Sequence, residues 1–568
     1  MDRKRVKRKE IYMRNFLKRT MIAMLSLILV VGLVGCGTKK PNENQTPNTN
    51  NNNNQGEQGN KEGNKQNEKK IINIGVTYAP GPINPLFPNG EVATNVTGLM
   101  FLPLLEVDSN MEFQPMLADS VTTEDNITFT INLNKDATWT DGTPVTSDDV
   151  IYTIRQIANP NVGSIYAYMF GSFVGFDDWG YVEDGVEDIE GVIRVDDKTV
   201  QLVAKEKMAL NIFNNSIARY FWTIPKHVLK DTAPDQLVGS DFFQNPTVTN
   251  GPFTLISYNR DHFVQLAANK DYFKGAPKVD QINFNVMQGN QIYPRLQSGE
   301  IDFNLPTLGI IPVEDYENIK ALPNMTTFLE EPLTNQYMYI NEKTMPDERV
   351  KLALVYAINR ELIVNELLKG NGEVINGFFT TYSPYYDETL SKTPYDPEKA
   401  KQLLTEAGWD SNQPITLSVT SGDNTLEQAA NIVAANLNAV GIKATVKMTE
   451  FATLLDELYA EEHQLAIMTY TFAPVDPFPD LSYLIQEGNI NGYHNAEVDE
   501  LLGKVKIEDD FATVKELYGR INKISEVEVP MFSVYATRSL VAKSDRVTGV
   551  NPRAYGAFIN VIDWDVAE

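Results

Sequence analysis

Apolar and polar positions alternate along Thr128–Leu133, which sets Phe129, Ile131 and Leu133 on one side, the period of a half-buried strand. A tight turn is predicted next at Thr140-Asp-Gly-Thr-Pro144, where Gly142 can take a positive φ. Thr146 then stands as the N-cap of a helix running through Val150 and Ile154, with Asp148 and Asp149 in a first turn that favours negative charge. A second helix is marked at both ends: Asp396 caps it, Pro397 takes the first helical position, Ala400, Leu403, Leu404 and Ala407 form one face, and Gly408 stops it. Val514, Leu517, Tyr518, Ile521 and Ile524 mark a third, amphipathic helix. Strand patterns such as 282–286 lie between helical ones, which predicts an α/β class.

The pattern is different before residue 71. Residues 21–34 are an apolar run of 14 residues, and a helix needs about 20 to span a bilayer core, so the run is too short for an anchor. Nine Lys or Arg precede it, against Asp2 and Glu10, the layout of an export signal over 1–35. The run ends in Leu33-Val34-Gly35-Cys36, which resembles the bacterial lipobox, whose cysteine carries the lipid. Cys36 is the only cysteine, so no disulfide is available and the exported part must fold by core burial. From 38 to 70 the chain has no Val, Ile, Leu or aromatic residue and is rich in Asn, a composition that cannot repay the entropy of folding. Residues 36–70 read as lipidated cysteine plus tether, with a flexible span of roughly 30 Å.

Charge narrows the partners. The net charge is −26, and because residues 1–36 carry nine bases and two acids, the rest carries −33. Such a surface repels phosphate backbones, which excludes nucleic acid and leaves membrane contact to the lipid.

Four blocks then carry a resemblance over nearly the whole of the remaining chain. Trp139-Thr-Asp-Gly-Thr-Pro-Val-Thr-Ser-Asp-Asp-Val150 is the first. Thr249-Asn-Gly-Pro-Phe-Thr-Leu-Ile256, with Asn269-Lys-Asp-Tyr-Phe-Lys-Gly275 and Leu296-Gln-Ser-Gly-Glu-Ile-Asp302, is the second. Asp347-Glu-Arg-Val-Lys-Leu-Ala-Leu-Val-Tyr-Ala-Ile-Asn-Arg360 and the helix ending Glu406-Ala-Gly-Trp409 complete the order. In that order they resemble the family 5 extracellular solute-binding proteins, the oligopeptide- and dipeptide-binding group.

The resemblance implies a two-lobed, periplasmic-binding-protein-like α/β fold of class II, of the large peptide-binder type, with an extra subdomain in the first lobe. On that basis 71–335 is expected as lobe I, with the insert near 110–247, 336–532 as lobe II, and 533–568 as the return to lobe I. Hinge crossings are expected near Thr334–Ile340 and Met531–Thr537. The implied function is capture of oligopeptides in the cleft between lobes and delivery to the permease and ATPase of an ABC importer. The protein is expected as a monomer with no cofactor and no metal, lipid-anchored to the outer face of the bacterial cytoplasmic membrane through Cys36.

A partial carry-over of the site is also implied. Asn250 matches a ligand-meeting asparagine of some oligopeptide binders, and Tyr272 sits in the family's aromatic pair. Phe451 falls where a cleft tryptophan often stands. Tyr470, Thr471 and Phe472 open the loop that in peptide binders carries an aspartate for the ligand's α-ammonium. Here Pro474 stands in that aspartate's place, and Asp476 is the nearest carboxylate. Tyr78 and Asn335 are further cleft candidates.

Other readings share some of these features. An oligosaccharide binder would stack sugar rings on tryptophan, for which only Trp179 and Trp222 of the five are free of structural motifs. Nickel-chelate uptake finds no ligand spacing among His227, His262, His463 and His494. The acidic stretch Asp177 to Glu190 lacks the ordered spacing of a calcium loop and reads as a solvated loop. A secreted hydrolase would need an activated serine, yet no Gly-x-Ser-x-Gly elbow occurs. A surface receptor or chaperone without transport would share the fold.

Overall fold

Two large sheets organise the chain in the computed structural model, which describes residues 69–567 apart from 88, 89, 184, 391 and 474. The export signal and Cys36, with all but the last two residues of the 36–70 stretch, lie outside these residues, as does Pro474.

The first sheet has seven strands, in the order Met325–Leu329, Leu540–Ser544, Phe303–Asn304, Ile71–Val76, Gln281–Val286, Phe263–Ala268 and Phe253–Asn259. Ile71–Val76 runs parallel to both of its neighbours. Its even positions Ile72, Ile74 and Val76 enter one large core with Phe284, Phe303 and Trp564. On the other face Gly75 lies so close to Ile301 that an added Cβ would stand 2.6 Å from its Cδ1. The same core takes in Phe129 and Ile131 from a separate four-stranded antiparallel sheet built from Ala118–Thr122, Thr128–Leu133, Thr199–Val203 and Val192–Arg194, together with Trp139 and Phe213 from the segments that cover it.

The second sheet has six strands, in the order Gly372–Glu373, Met531–Thr537, Thr334–Ile340, Leu465–Tyr470, Pro414–Thr420 and Lys443–Thr449. Its central strands Met531–Thr537 and Thr334–Ile340 are buried along almost their whole length because both faces are covered. In Thr334–Ile340, Tyr337 and Tyr339 join a core formed with Leu501 and Tyr518, while Met338 and Ile340 join another with Leu354 and Val433.

The chain passes from the first sheet to the second between Leu329 and Thr334 and returns between Thr537 and Leu540. The two segments expected at the crossings, Thr334–Ile340 and Met531–Thr537, are thus both strands of the second sheet, paired antiparallel. The links are shorter and lie side by side, with Glu330 N–H donating to Ser539 O at 2.9 Å. Arg538 is 3.6 Å from Glu331 in the opposite link and 3.4 Å from Glu373 in the second sheet.

The local signals came out as written in the sequence. Ser147–Ala158 is a helix in which Asp149 accepts from the backbone N–H of Thr146 at 2.9 Å. Pro397–Ala407 is capped by Asp396, which accepts from Lys399 N–H at 2.9 Å, and ends on Gly408 at φ 70°. Phe511–Glu528 buries Val514, Tyr518 and Ile521, with Leu517 and Ile524 partly buried beside them.

Candidate functional site

The two sheets repeat one topological device. Ile71–Val76 lies between two parallel partners, and the link from Gln281–Val286 through the helix Gly289–Ser298 to Phe303–Asn304 hops across it. Pro414–Thr420 likewise lies between two parallel partners, and the link from Lys443–Thr449 through the helix Phe451–Tyr459 to Leu465–Tyr470 hops across that strand. Such switch points leave a crevice at the carboxyl ends of the strands, the usual ligand position in open α/β sheets.

A cavity of about 1520 Å³ occupies both crevices at once. The first sheet supplies Thr77, Tyr78 and Ala79 after Ile71–Val76 and Pro306 and Thr307 after Phe303–Asn304. The second supplies Gly422 to Thr425 after Pro414–Thr420 and Thr471, Phe472 and Ala473 after Leu465–Tyr470. Both sheet-to-sheet links reach it, through Leu333 and Arg538. Its lining carries five acids, Glu91, Glu106, Glu314, Asp423 and Asp480, against three bases, Arg219, Lys274 and Arg538.

The bases are largely matched already. Arg219 is 2.7 Å from Glu106 and lies over the rings of Tyr220 and Tyr555, at 5.3 and 5.2 Å. Arg538 faces Glu331 and Glu373. Asp423 caps the helix Asn424–Ala439, accepting from Thr425 and Leu426 N–H at 2.9 and 3.0 Å.

Asp480 is different. It sits in the first turn of the helix Phe478–Ile485, half-buried, with one oxygen accepting from Tyr470 Oη at 2.8 Å and the other from Ala473 N–H at 2.6 Å. No base among the described residues forms an ion pair with it. Burial, and secondarily the negative charge of Asp476, push its carboxyl up to about 6. Tyr168 and Tyr220, from the first half of the chain, lie close enough to feel its charge. Beside them Asn215 lines the cavity at 3% exposure with its Oδ1 unpartnered, while its Nδ2 donates to Asp476 O at 3.4 Å.

Of the residues expected from sequence, Tyr78, Tyr272, Thr471 and Phe472 line this cavity. The other five do not, each for a local reason. Asn250 is fully buried, and its Oδ1 accepts from Leu102 N–H at 2.8 Å, fastening the turn before Phe253–Asn259 to the chain after the helix Glu91–Met100. Its neighbour Gly251 is needed because a Cβ there would stand 2.2 Å from Leu99 O. Asn335 is buried in its strand, accepting from Ser533 Oγ at 2.7 Å. Phe451 opens the helix Phe451–Tyr459 and is 53% exposed outside the cavity. Tyr470 stands behind the lining, and its hydroxyl donates to Asp480, which is part of it. Asp476 is buried beneath the loop, accepting from Tyr518 Oη at 2.7 Å and Phe478 N–H at 2.9 Å.

Asp480, Asn215, Arg219 and Tyr220 were not singled out from sequence. A carboxylate shortly after Asp476 was the available signal for the first; the others have none, because the partners that place them are distant in sequence, Glu106 by 113 residues from Arg219 and Asp476 by 261 from Asn215. Among the tryptophans only Trp222 lines the cavity, and it is 2% exposed, so it offers little ring face.

Comparison with known proteins agrees with this geometry. Residues 112–492 match the family described as "Bacterial extracellular solute-binding proteins, family 5 Middle". The chain is 25% identical over 586 residues to the oligopeptide-binding protein AppA of Bacillus subtilis (strain 168), covering 97% of this chain and 99% of that one. It is 26% identical over 475 residues to the periplasmic oligopeptide-binding protein OppA of Escherichia coli (strain K12), covering 80% and 84%. The solved structure of Bacillus subtilis AppA in complex with a nonapeptide superposes with a TM-score of 0.70 at 24% identity, over 88% of this chain and 100% of that one.

Proposed function

The chain belongs to the bacterial extracellular solute-binding proteins of family 5, and from that premise we propose that it captures oligopeptides in the two-sheet cavity for an ABC importer. The observation that carries this reading is the cavity itself. At about 1520 Å³ it exceeds the ~300–1000 Å³ of pockets for drug-sized molecules, and it is walled by loops from both sheets. Curated relatives over most of the chain are named for oligopeptides, which supports the same ligand class.

The finer reading assigns lobe I to the first sheet with the four-stranded sheet, lobe II to the second sheet, and the hinge to 330–333 and 538–539. Closure follows from ligand contacts to both lobes, since a ligand shifts an equilibrium only by its differential affinity for the two states. Asp480 and Asn215 Oδ1 present acceptors without a cationic donor, beside Tyr168 and Tyr220, and this corner takes an ammonium group of the peptide. An oligosaccharide would want exposed tryptophan faces, which Trp222 does not provide.

Calorimetry of the purified protein, stripped by unfolding and refolding, against pooled free peptides and pooled oligosaccharides separates the readings. Heat with the peptides is expected; heat with sugars alone would sink the proposal.

The basic start, short apolar run and Leu-Val-Gly-Cys36 support export and lipid attachment, with the Asn-rich stretch as tether. Two acyl chains are what stable anchoring requires, and confinement near the importer raises the local concentration for delivery. Cys36→Ala is therefore expected to leave peptide affinity unchanged, to move the protein from the membrane fraction to the medium or periplasm, and to weaken uptake. Unchanged membrane retention would remove the anchor from the account.

A further inference from the structure

A second set of contacts joins the two sheet-bearing halves away from the cavity. The helix Leu210–Ser216 begins after Ala209, which has no side chain able to cap it. The free N–H of Leu210 donates instead to Asp509 Oδ1 at 2.9 Å, from the loop between the helices Ala496–Val505 and Phe511–Glu528. The other Asp509 oxygen accepts from Asn126 Nδ2 at 2.5 Å. Ala209 N–H donates to Lys506 O at 2.8 Å, and Lys506 Nζ is 3.1 Å from Glu206.

The first-half side of this contact is preset. Met208 N–H donates to Asn126 O at 2.8 Å, and Asn126 N–H to Thr123 Oγ1 at 2.9 Å. Asn126 holds φ at 60°, a left-handed conformation that asparagine tolerates better than most residues. Its amide is thereby held toward the second half. The first N–H groups of a helix have no acceptor within it, so the Asp509 carboxylate satisfies a donor that Leu210 would otherwise leave open. Here the capping carboxylate comes from the opposite half, and separating the halves would uncap the helix.

We propose that Asp509 is an interlobe latch, a positioning residue that favours the closed arrangement independently of what the cavity holds. It rests on the reading of the protein as a receptor that closes. Asn126, Glu206, Ala209, Leu210, Lys506 and Asp509 are all absent from the cavity lining, so none of them meets a ligand held there, although the helix that Asp509 caps carries Asn215 near its far end. The latch therefore scales every affinity by one common factor, while the cavity sets the ratios between ligands.

The test uses the full chain carrying Cys36→Ala, with spin labels at Asp235→Cys and Glu516→Cys, one on each half and both exposed, and with tetra-alanine and tetra-lysine as probes. Asp509→Ala is expected to shift the label distances of the unliganded protein to longer values. It is also expected to raise Kd for both peptides by the same factor, about three- to ten-fold, as suits a few exposed charge-assisted contacts. Asn126→Ala attacks the same contact from the other side and should act alike, with the double variant no weaker than the stronger single. Unchanged distances with unchanged affinities would overturn the latch, and so would an effect on one peptide alone, which would make Asp509 a ligand contact. If neither peptide binds the wild type, the peptide reading fails and the label distances alone decide the latch.

Discussion

Asp480→Asn is expected to weaken binding of a free-amine peptide by roughly 30- to 1000-fold, the loss that follows when one partner of a buried hydrogen-bonded charge pair is removed. The substitution keeps the shape of the side chain and removes its charge. The carboxylate is half-buried, held by Tyr470 Oη and Ala473 N–H, and has no ion-pair partner among the described residues, which leaves the cation to come from the proposed ligand. Titration calorimetry with one peptide and its N-acetylated form checks this. The wild type should discriminate strongly between the two forms, and Asp480→Asn should lose that discrimination. If Asp480 only shapes the loop, both forms weaken together and the ratio stands.

The same group sets two opposite pH dependences. Burial pushes Asp480 up to about 6, with the charge of Asp476 adding to it, and burial pushes Asp476 up to about 6 as well. A free carboxyl titrates near 3.9, so both bind a proton more tightly in the folded protein than in the unfolded chain. Their contribution to stability is then fully present below about pH 4 and is lost as pH rises through about 6. Amine capture needs the ionised form of Asp480, so affinity for a free-amine peptide should fall by up to about tenfold per unit below pH 6. From pH 7 to 5, thermal melts of the unliganded protein should gain from these two groups while peptide affinity drops.

How much of this was legible in the sequence depended on how local each cause is. Pro397–Ala407 has its cap, first-position proline and stop glycine within a dozen residues, and its limits follow from them. The strand Thr128–Leu133 needed only its own alternation. The two switch-point crevices were legible only through family resemblance, since they arise from which strands pair, not from any one segment. The site residues fared worst. Asn250 sits in a strong motif, but its partner Leu102 is 148 residues away and makes it a structural fastener. Asp476 lies just before the helix Phe478–Ile485 and Asp480 in its first turn, and nothing in the intervening residues tells which is buried under Tyr518 and which lines the cavity.

Arg360→Met is expected to destabilise the second sheet's half by roughly 3–5 kcal/mol. Arg360 is 3% exposed and has no carboxylate within ion-pair distance among the described residues. Its guanidinium donates to Ile375 O at 3.1 Å, Ser533 O at 3.2 Å, Asn376 Oδ1 at 3.0 Å and Thr393 O at 3.0 Å. One side chain thereby ties the strand Met531–Thr537 to the chain that covers it between 375 and 393. Two effects oppose each other on substitution. Burial lowers the guanidinium to about 10, so removing the charge relieves roughly 3 kcal/mol at about 1.4 kcal/mol per unit. Against that, four acceptors lose a donor in a site closed to water, each at about 1–3 kcal/mol, and methionine's length leaves water no room to replace it. The four lost hydrogen bonds win. Arg360→Lys should recover only part of the loss, because one ammonium cannot reach four acceptors spread around a planar fork. Urea unfolding followed by tryptophan fluorescence measures both: an Arg360→Met midpoint within error of the wild type would mean that the carbonyls find other donors and that the arginine is dispensable to the fold.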